Sequence, residues 1–452
     1  MRGSMPEMSE TTEQQQQYEA ETAGCPVEMS EGRRCGRPIH SVRAEFDKRP
    51  VCLMHSRAPN KDNAEFQREF ESILEAAGEG TADFTGFVFP RAGYAGREFT
   101  AQCVFFQTTF TQQADFTGAT FTEKADFTLA TFTQEASFNL AKFTQEAKFR
   151  VARFTQRADF SGAKLEKEAD FRLAAFGTDA WFQETKFRND DQGIGPIFSR
   201  ARFEKPERVE FYQTYLGQAL LHNCDVSKFV FSNVEWRKRK NGQRMVFEEV
   251  VSLEDEATEA LKPPEGSADE RDYGLIAELY QQLKKNFDER RDYWTAGDFH
   301  YGEMEMKRLS SRRHNRVLRW LKQTLGLTAL YKHASEYGES YKRPAAWVGI
   351  FLLLFMLAYP DVGLQRNDVI PTPTSEIHYK NFFQFLEEHP KGAWAFFGHS
   401  LMTALSVMAL QRELEYQPVY PWGRPLLTVF ELVLSYILIA LFLLAVRRQF
   451  RR

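Results

Sequence analysis

The sequence predicts a multidomain fold in which a solenoid of stacked β-coils is joined to an α-helical membrane domain with two spans. The first observation is a ladder of aromatic residues that runs from Phe105 to Phe187 in alternating steps of five and six. An amphipathic helix repeats every three or four residues and a strand every two, so this longer period indicates stacked copies of one unit. The second observation is a pair of apolar runs within residues 344–452, one of which is long enough to cross a bilayer.

Composition argues against several classes of function. The 452 residues carry a net charge of −4, so there is no basic excess for binding nucleic acid. Five cysteines are too few for a disulfide scaffold in a chain of this length. No phosphate-binding glycine loop and no nucleophile–base pair stand out, and we predict that the protein is not an enzyme. Residues 1–23 are polar and rich in Gln and Glu, which predicts a disordered segment and no signal peptide.

Residues 24–60 contain a candidate metal site. Cys25, Cys35, Cys52 and His55 follow the spacing C-x9-C-x16-C-x2-H. Thiolates and an imidazole are ligands that a tetrahedral zinc ion prefers, and four protein ligands leave no open position for catalysis. A short segment with little core also gains stability from a bound metal. We therefore predict a structural zinc ion; the alternatives are unliganded thiols, or a site in which His40 replaces one ligand.

Residues 61–80 predict a helix. The apolar residues Phe66, Phe70, Ile73 and Leu74 fall on one face of it at helical spacing. Such a helix can cover the apolar end of a solenoid, which terminal units must do for solubility. We therefore assign it as a cap on the first coil.

Residues 81–236 carry the repeat itself. A small residue stands two positions before many of the aromatic residues, as in ADFTG (114–118), ADFTL (125–129), ASFNL (136–140), ADFSG (158–162) and ADFRL (169–173). These units resemble the pentapeptide-repeat family. The resemblance implies a right-handed quadrilateral β-helix with aromatic and Ala side chains inside, and the period then gives about 22 residues per coil and roughly seven coils. The interruption at residues 189–210 predicts a bulging loop.

The outer surface of this tube mixes acidic and basic residues between positions 112 and 191. Acidic pentapeptide proteins that target topoisomerase mimic DNA, and such mimicry needs a predominantly negative surface. The sequence therefore disfavours a topoisomerase-binding decoy.

Three segments connect the tube to the membrane domain. Residues 237–270 are charged and contain Pro, which predicts a linker, with a strand or short helix over Met245–Leu253 as the alternative. Residues 271–312 predict a helical hairpin that is similar to one tetratricopeptide unit. Residues 313–343 predict an amphipathic helix at the membrane interface, with Leu318 and Leu321 toward lipid and basic side chains toward anionic headgroups.

The two apolar runs are Trp347–Tyr359 and Pro425–Val446. Lys and Arg are abundant between residues 307 and 343 and again at 447–452, whereas the connecting loop 360–424 has an acidic excess. The positive-inside rule therefore predicts a multi-pass protein with both termini in the cytoplasm and the loop outside. We expect it in the inner (plasma) membrane of a bacterium; the alternative is a pair of buried core helices.

The stretch between the spans, WAFFGHSLMTALSVMALQ (394–411), is too short to cross the bilayer but apolar enough to re-enter it. Together with Trp422-Gly423-Arg424 before the second span, it resembles the two-span pore-loop channels of the potassium-channel family. The resemblance covers residues 344–452 and implies a re-entrant pore helix in each of four subunits around one pore. The family's glycine-containing filter falls near Leu405–Gln411, which reads LSVMALQ, so potassium selectivity does not carry over.

Other side chains would then line the pore. Hydroxyl and amide groups could replace the carbonyl filter, apolar side chains could form a constriction, and charged ones could ring the outer mouth. In the second span, Ser435 stands where the family often has a hinge glycine, and Glu431 is an ionisable residue at membrane depth, so both are candidates for gating. The candidates for the pore and filter are Ser406, Met408, Leu410, Gln411, Arg412, Glu413 and Glu415. The neighbouring opposite charges leave the sign of the ion open, and a pore loop that packs without conducting is the alternative.

These observations predict a homo-oligomeric membrane ion channel, a tetramer by resemblance, with a cytoplasmic β-helix as a sensing or docking module. Its partners would be inorganic ions, membrane lipids and an unidentified cytoplasmic protein, and not nucleic acid. The rival prediction is a membrane-anchored pentapeptide-repeat scaffold without conductance. In the channel the hairpin and the amphipathic helix would transmit an event at the tube to the second span; in the scaffold the spans would only tether the tube.

Overall fold

The computed structural model describes residues 24–30, 32–40, 46–188, 193–267, 269–310, 316–362, 364–366, 376–377, 393–409, 411, 416–418 and 423–451. The chain divides into two compact units, Met1–Ser310 and Ser311–Arg452, and each is described by itself. The predicted disordered segment 1–23 lies outside the described residues.

The first unit contains a tube with four parallel sheets, one on each side. The chain visits the sheets in turn, so each strand pairs with the strand one coil later. The first sheet comprises β1 (Thr81–Asp83), β5 (Gln102–Val104), β9 (Ala125–Asp126), β13 (Ala147–Lys148), β17 (Ala169–Asp170) and β21 (Pro196–Ile197). The second comprises β2 (Val88–Phe89), β6 (Thr109–Phe110), β10 (Thr131–Phe132), β14 (Arg153–Phe154), β18 (Ala175–Phe176) and β22 (Arg202–Phe203).

The other two sheets differ in length. The third comprises β3 (Ala92–Gly93), β7 (Ala114–Asp115), β11 (Ala136–Ser137), β15 (Ala158–Asp159), β19 (Ala180–Gln183), β23 (Val209–Tyr212) and β24 (Val230–Ser232). The fourth comprises β4 (Glu98–Phe99), β8 (Thr120–Phe121), β12 (Lys142–Phe143), β16 (Lys164–Leu165) and β20 (Lys186–Phe187). The fourth sheet therefore ends earlier than the third.

The register of these sheets repeats the period of the sequence. Phe110 pairs with Phe132 and Phe132 pairs with Phe154, a step of 22 residues per coil. The seven strands of the third sheet correspond to about seven turns. The predicted β-solenoid and its number of coils are confirmed, whereas its right-handed sense stays a prediction.

The interior of the tube is a set of stacked aromatic rings. The ring centroids of Phe116 and Phe138 lie 5.1 Å apart and those of Phe138 and Phe160 lie 4.9 Å apart, with interplanar angles of 2° and 7°. The other inward position has little room, and its occupants Ala136 and Ala158 are fully buried register partners. Close packing of rings and methyl groups therefore explains the Ala-x-Phe pattern.

The residue between Ala and Phe is often Asp because its carboxylate supports the corner that follows. Asp115 accepts a hydrogen bond from the backbone N–H of Thr117 at 3.0 Å, and Asp126 accepts one from Thr128 at 2.9 Å. Such Asx turns satisfy backbone donors where the chain changes direction.

The backbone is left-handed two residues after the inward Phe. Gly118 has a φ of 65° there, but the same conformation occurs at Leu129, with a φ of 60°, and at Val151, with a φ of 59°. A side chain in this conformation costs on the order of 1 kcal/mol per residue. The stacking of the coils, and not local preference, therefore holds these corners.

Helix α1 (Asn63–Ala77) covers the first coil. Its first turn is capped by the carboxylate of Asp62, which accepts a hydrogen bond from the Ala64 N–H at 2.7 Å. On the buried face of the helix, Phe70 stacks on Phe84 of the tube, with ring centroids 4.6 Å apart. The apolar face that the sequence predicts is thus the face that closes this end of the tube.

Residues 237–267, most of the predicted linker, form an ordered part of the other end of the tube. They contain the antiparallel pair β25 (Arg237–Lys238) and β26 (Arg244–Met245), and two 3-10 helices, Phe247–Glu249 and Glu256–Leu261. Among them Met245, Val246, Phe247, Val251, Ala257 and Leu261 are buried. The composition conceals this structure because the buried residues are few and stand between charged ones.

A helical hairpin completes this cap. It consists of α2 (Tyr273–Glu289) and α3 (Tyr293–Leu309). Phe287 of α2 stacks on Phe231 of the last coil, with ring centroids 5.7 Å apart. The Asn286 amide donates hydrogen bonds of 2.9 and 2.8 Å to two carbonyl oxygens of the same coil. The hairpin therefore packs on the tube.

The predicted bulging loop at 189–210 is shorter in the structure. Residues 189–192 lie outside the described residues, but β21 pairs with β17 and β22 pairs with β18, so residues 196–203 continue the coils. Ala169 pairs with Pro196, a step of 27 residues against 22 in the regular coils. The prediction is therefore wrong for residues 196–203. The step of 27 adds five residues between β20 and β21, and the step of 29 from Ala180 to Val209 adds two more between β22 and β23.

The second unit is mostly helical. Its helices are α4 (Arg316–Leu325), α5 (Leu327–Ser335), α6 (Lys342–Val362), α7 (Ala393–Met408) and α8 (Gly423–Arg451), and a small antiparallel sheet contains β27 (Leu364–Arg366), β28 (Glu376–Ile377) and β29 (Tyr416–Pro418). Two stretches, Lys342–Tyr359 in α6 and Leu426–Phe450 in α8, are long and apolar enough to cross a membrane, as judged by length and composition. They contain most of the two predicted spans.

Replacing Glu168 of the tube by Gln should raise stability more at pH 8 than at pH 5. Burial, with the negative charges of Asp255 and Asp170, raises the pKa of Glu168 from 4.5 to about 7. Between these values the folded state keeps a proton that the unfolded state has lost, so stability falls as pH rises through this range. Gln cannot ionise and removes that loss. Thermal melting at both pH values tests this, with the exposed Glu123→Gln as control; equal gains at both pH values would contradict it.

Candidate functional site

The three cysteines and the histidine of the predicted metal site lie together. The ligand atoms of Cys25, Cys35, Cys52 and His55 are all within 4.8 Å of one another. His55 Nδ1 lies 3.5 Å from the Cys25 sulfur and 3.2 Å from the Cys52 sulfur, and the sulfurs of Cys35 and Cys52 are 3.8 Å apart. A tetrahedral ion with metal–sulfur bonds of about 2.3 Å separates its ligand atoms by roughly 3.3–3.8 Å. The cluster can therefore hold a metal ion.

Two turns of the chain bring these ligands together. Cys25 and Cys35 lie on facing stretches, which are joined by hydrogen bonds from the Cys25 N–H to the Arg37 carbonyl at 2.8 Å and from the Cys35 N–H to the Val27 carbonyl at 2.8 Å. The other two ligands share one turn, in which the His55 N–H donates to the Cys52 carbonyl at 3.1 Å. The short spacing C-x2-H thus gives one pair, and backbone pairing across nine residues gives the other.

The first coil of the tube orients the histidine. His55 Nε2 lies 2.9 Å from the carbonyl oxygen of Thr85, so this nitrogen carries the proton and donates it. Nδ1 then faces the sulfurs and offers its lone pair once a metal displaces its proton, as in metal sites whose histidine donates its second N–H to a backbone carbonyl. The His55 ring also meets Phe87 edge-on at 5.0 Å. The cluster is therefore attached to the tube through its histidine.

The cluster also shifts the acidity of its members. Hydrogen bonds from the Cys25 and Cys52 thiols lower the pKa of the Cys35 thiol well below its usual range. Burial disfavours the charged imidazolium of His55, but hydrogen bonds to Cys25 and Cys35 outweigh burial and raise its pKa to about 9. Thiolates are the form of cysteine that binds metals. His40, the alternative ligand, is exposed and lies outside the cluster.

The predicted pore residues fall at and after the end of α7. Ser406 and Met408 are half-buried on this helix, and Gln411 is exposed just beyond it. Leu410, Arg412, Glu413 and Glu415 lie outside the described residues. The structure thus places three of the seven candidates within a few residues of one another along the chain.

The two predicted gating residues are buried on α8. Glu431 accepts a hydrogen bond from the hydroxyl of Tyr359 on α6, so a polar contact joins the two long apolar helices. Ser435 lies one turn further along. The sequence singles out Glu431 as an ionisable group in an apolar run, and its partner in the structure is the tyrosine at the end of α6. Tyr359 itself was missed, and its only signal is a hydroxyl at the end of the first apolar run.

The comparison with protein families bears on the tube. Residues 105–153 match the family model described as pentapeptide repeats (9 copies). This stretch is a run of pentapeptide repeats. No curated protein and no solved structure matches the chain. The match includes neither the metal cluster nor the apolar helices.

A buried polar cluster lies at the end of the pentapeptide-repeat tube that the hairpin of α2 and α3 covers. Sequence reasoning missed this cluster. The Ser199 hydroxyl and the Glu248 carboxylate lie 3.2 and 3.7 Å from the same nitrogen, Nδ1 of His222. A serine–histidine–carboxylate relay needs the two partners on opposite ring nitrogens, and this arrangement does not provide that. Glu248 instead accepts backbone N–H groups of Leu221, at 2.5 Å, and of His222, at 3.0 Å. Its carboxylate therefore satisfies donors that an additional coil would otherwise engage.

Proposed function

We propose that the protein is a homo-oligomeric ion channel whose cytoplasmic pentapeptide-repeat tube is a sensing or docking module. The observation that best supports the channel is that the short apolar helix α7 packs against both long apolar helices of its unit. At about 1.5 Å per residue, the 16 residues of α7 extend roughly 24 Å, which is less than a ~30 Å hydrocarbon core. A helix too short to cross, placed beside two that can cross, is what a re-entrant pore helix requires.

The exposed faces of the long helices support an oligomer. Ile350, Leu353 and Leu357 of α6 are exposed, and so are Val433 and Ile437 of α8. Apolar faces of this extent are normally covered by lipid or by other subunits. Two spans and one re-entrant segment cannot enclose a pore alone, so we propose that copies of the chain, four by resemblance, surround it.

Buried polar groups within the second unit are consistent with an ion pathway. Ser400 and Thr403 of α7 are buried, as is Ser435 of α8. Among the described residues, the Ser400 hydroxyl has no hydrogen-bond partner. Polar groups at membrane depth are costly, and they commonly mark ion or substrate pathways.

We further propose that the Cys3His cluster holds a structural zinc ion. Its ligand types, its spacing between ligand atoms and the orientation of His55 all suit zinc. Four protein ligands close the coordination sphere, so the role of the metal is to stabilise residues 24–60.

The channel is tested by recording current from the purified full chain in a planar bilayer. We expect steady conductance that changes in amplitude or ion preference in the variants Gln411→Leu and Glu413→Gln. The matched control is Glu123→Gln, the same substitution at an exposed residue of the tube, which should conduct like the unaltered protein. The subunit number should be measured on the same preparation by light scattering in detergent.

A silent bilayer together with monomers in detergent would contradict the channel. Those results would instead support the rival function, a membrane-anchored scaffold in which α6 and α8 only tether the tube.

A further inference from the structure

The fourth sheet of the tube is interrupted before the last coils. Its final strand is β20, whereas the second sheet continues to β22 and the third to β24. In the following coil Tyr215 pairs with Glu235, and no pairing within the described residues joins it to β20. A cleft of about 860 Å³ opens at this position, between the end of β20 and the next coil. Clefts of this size are typical of small-molecule sites.

Aligned lysines lead along the fourth sheet to this cleft. Lys142, Lys164 and Lys186 are register partners on adjacent strands, and Lys164 and Lys186 line the cleft. Neighbouring strands are about 4.8 Å apart, and like charges directly opposite one another destabilise a sheet. The alignment therefore raises the free energy of the folded state unless negative charge neutralises it.

Several charges of the tube are neutralised by a partner one coil away. Lys124 pairs with Glu146 at 3.2 Å, and Glu135 pairs with Arg157 one coil later. Lys142, the first lysine of the ladder, is paired with Glu166 at 3.3 Å. Lys164 and Lys186 are exposed and form no ion pair with any residue that the structure describes. Lys148 and Arg153 also lack an ion pair among the described residues, but neither has a cation as register partner. The cleft therefore combines two lysines that are both aligned and unpaired.

The rest of the lining suits an organic anion. Arg188 also lies on the lining, and the negative charges there are those of Glu166, which Lys142 already engages, and of Glu235. Leu165 and Phe187 supply apolar surface at the base, since both side chains are buried in the tube. Charge-assisted hydrogen bonds from two lysines to one ligand are strong, and the apolar base favours a ligand with carbon atoms.

We propose that this cleft binds a small organic anion with two or more negative charges, carried by carboxylate or phosphate groups. The anion would bridge Lys164 and Lys186 and remove their mutual repulsion. This site goes beyond the proposed channel, because it assigns a ligand to the tube whether or not the second unit conducts.

Calorimetric titration of the full chain in detergent tests the site. The probes are citrate for carboxylates and pyrophosphate for phosphates, and we expect one of them to bind and its affinity to fall with added sodium chloride. The double variant Lys164→Gln/Lys186→Gln should bind at least about tenfold more weakly, which is a loss of about 1.4 kcal/mol of binding free energy. Lys148→Gln, an exposed lysine on β13 of the first sheet, is the matched control and should bind within about twofold of the unaltered chain.

Melting temperature provides a second readout that does not depend on choosing the right probe. Without ligand, the double variant should melt at the same or a higher temperature, because it lacks the aligned charges. Failure of both probes to bind, or equal weakening by Lys148→Gln and the double variant, would overturn the site. A double variant that melts lower than the control would overturn the repulsion on which the site rests. Conductance plays no part in these measurements, so their failure is distinct from failure of the channel.

Discussion

Replacing Phe138 by Ala should destabilise the tube by about 3–5 kcal/mol, as large-to-small changes at buried aromatic residues typically do. Phe138 is fully buried at the centre of the aromatic stack. Its ring lies flat between Phe116 and Phe160 and edge-on to Phe127 and Phe149, at centroid distances of 5.6 and 5.3 Å. The coils above and below are held by backbone hydrogen bonds, such as that from the Phe138 N–H to the Asp159 carbonyl at 2.7 Å. The space left by the ring therefore cannot collapse.

Phe138→Leu is the matched control, because the tube already contains a leucine at an equivalent position. Leu165 is fully buried and pairs in register with Phe143 and Phe187. We therefore expect Leu at position 138 to cost well under half as much as Ala.

Hydrogen exchange is the appropriate measurement of this difference. The chain has two units, so a melting temperature shows whether stability changes but does not locate the change within the tube. Coils contact only their neighbours in a solenoid, and loss of protection should therefore be greatest in residues 114–160. Equal protection of these residues in the Ala and Leu variants would contradict the expectation.

The tube is the part of the fold that the sequence predicts best. Each coil contacts copies of itself, so one local period determines the inward residues and the register together. The pairing of Phe110 with Phe132 follows from their spacing alone. The ends of the tube lack this advantage. Val246 and Phe247 are buried, but the charged residues around them give no periodic signal.

For the candidate sites too, local spacing predicts some features, whereas contacts between distant residues determine the others. Ligand chemistry and spacing identify Cys25, Cys35, Cys52 and His55, but the orientation of His55 depends on Thr85, which no spacing rule connects to it. The cleft beyond β20 exists because, among the described residues, no later strand pairs with β20. No sequence pattern predicts where this sheet ends. Its only signal is the recurrence of lysine at positions 142, 164 and 186, one coil apart.

Replacing Cys52 by Ser should abolish the binding of one equivalent of zinc. Cys52 contacts both His55 and Cys35, so its loss removes one of four ligands and leaves His55 as the single ligand from its turn. Changes to second-shell partners alone lower metal affinity by about 10- to 100-fold, and removal of a ligand should cost more. Metal analysis of the purified chain, followed by titration with a chelator, measures the effect.

Cys103→Ala is the matched control for this change. Cys103 is buried in the tube, where its register partners are Ala82 and Ala125, so alanine fits its position and the metal should be retained. A chain that contains no zinc before mutation, or a Cys52→Ser variant that keeps a full equivalent, would contradict the structural zinc site.

The extent of unfolding in Cys52→Ser distinguishes a local staple from a support of the whole tube. Among the described residues of 24–56, Val51, Leu53 and Met54 are the buried apolar side chains outside the cluster. We therefore expect this segment to lose hydrogen-exchange protection. Helix α1 should keep its protection, because Phe70 packs on Phe84 and on Tyr94 independently of the metal. Loss of protection in α1 as well would mean that the metal holds the cap in place; protection that persists throughout residues 24–56 would mean that this segment folds without it.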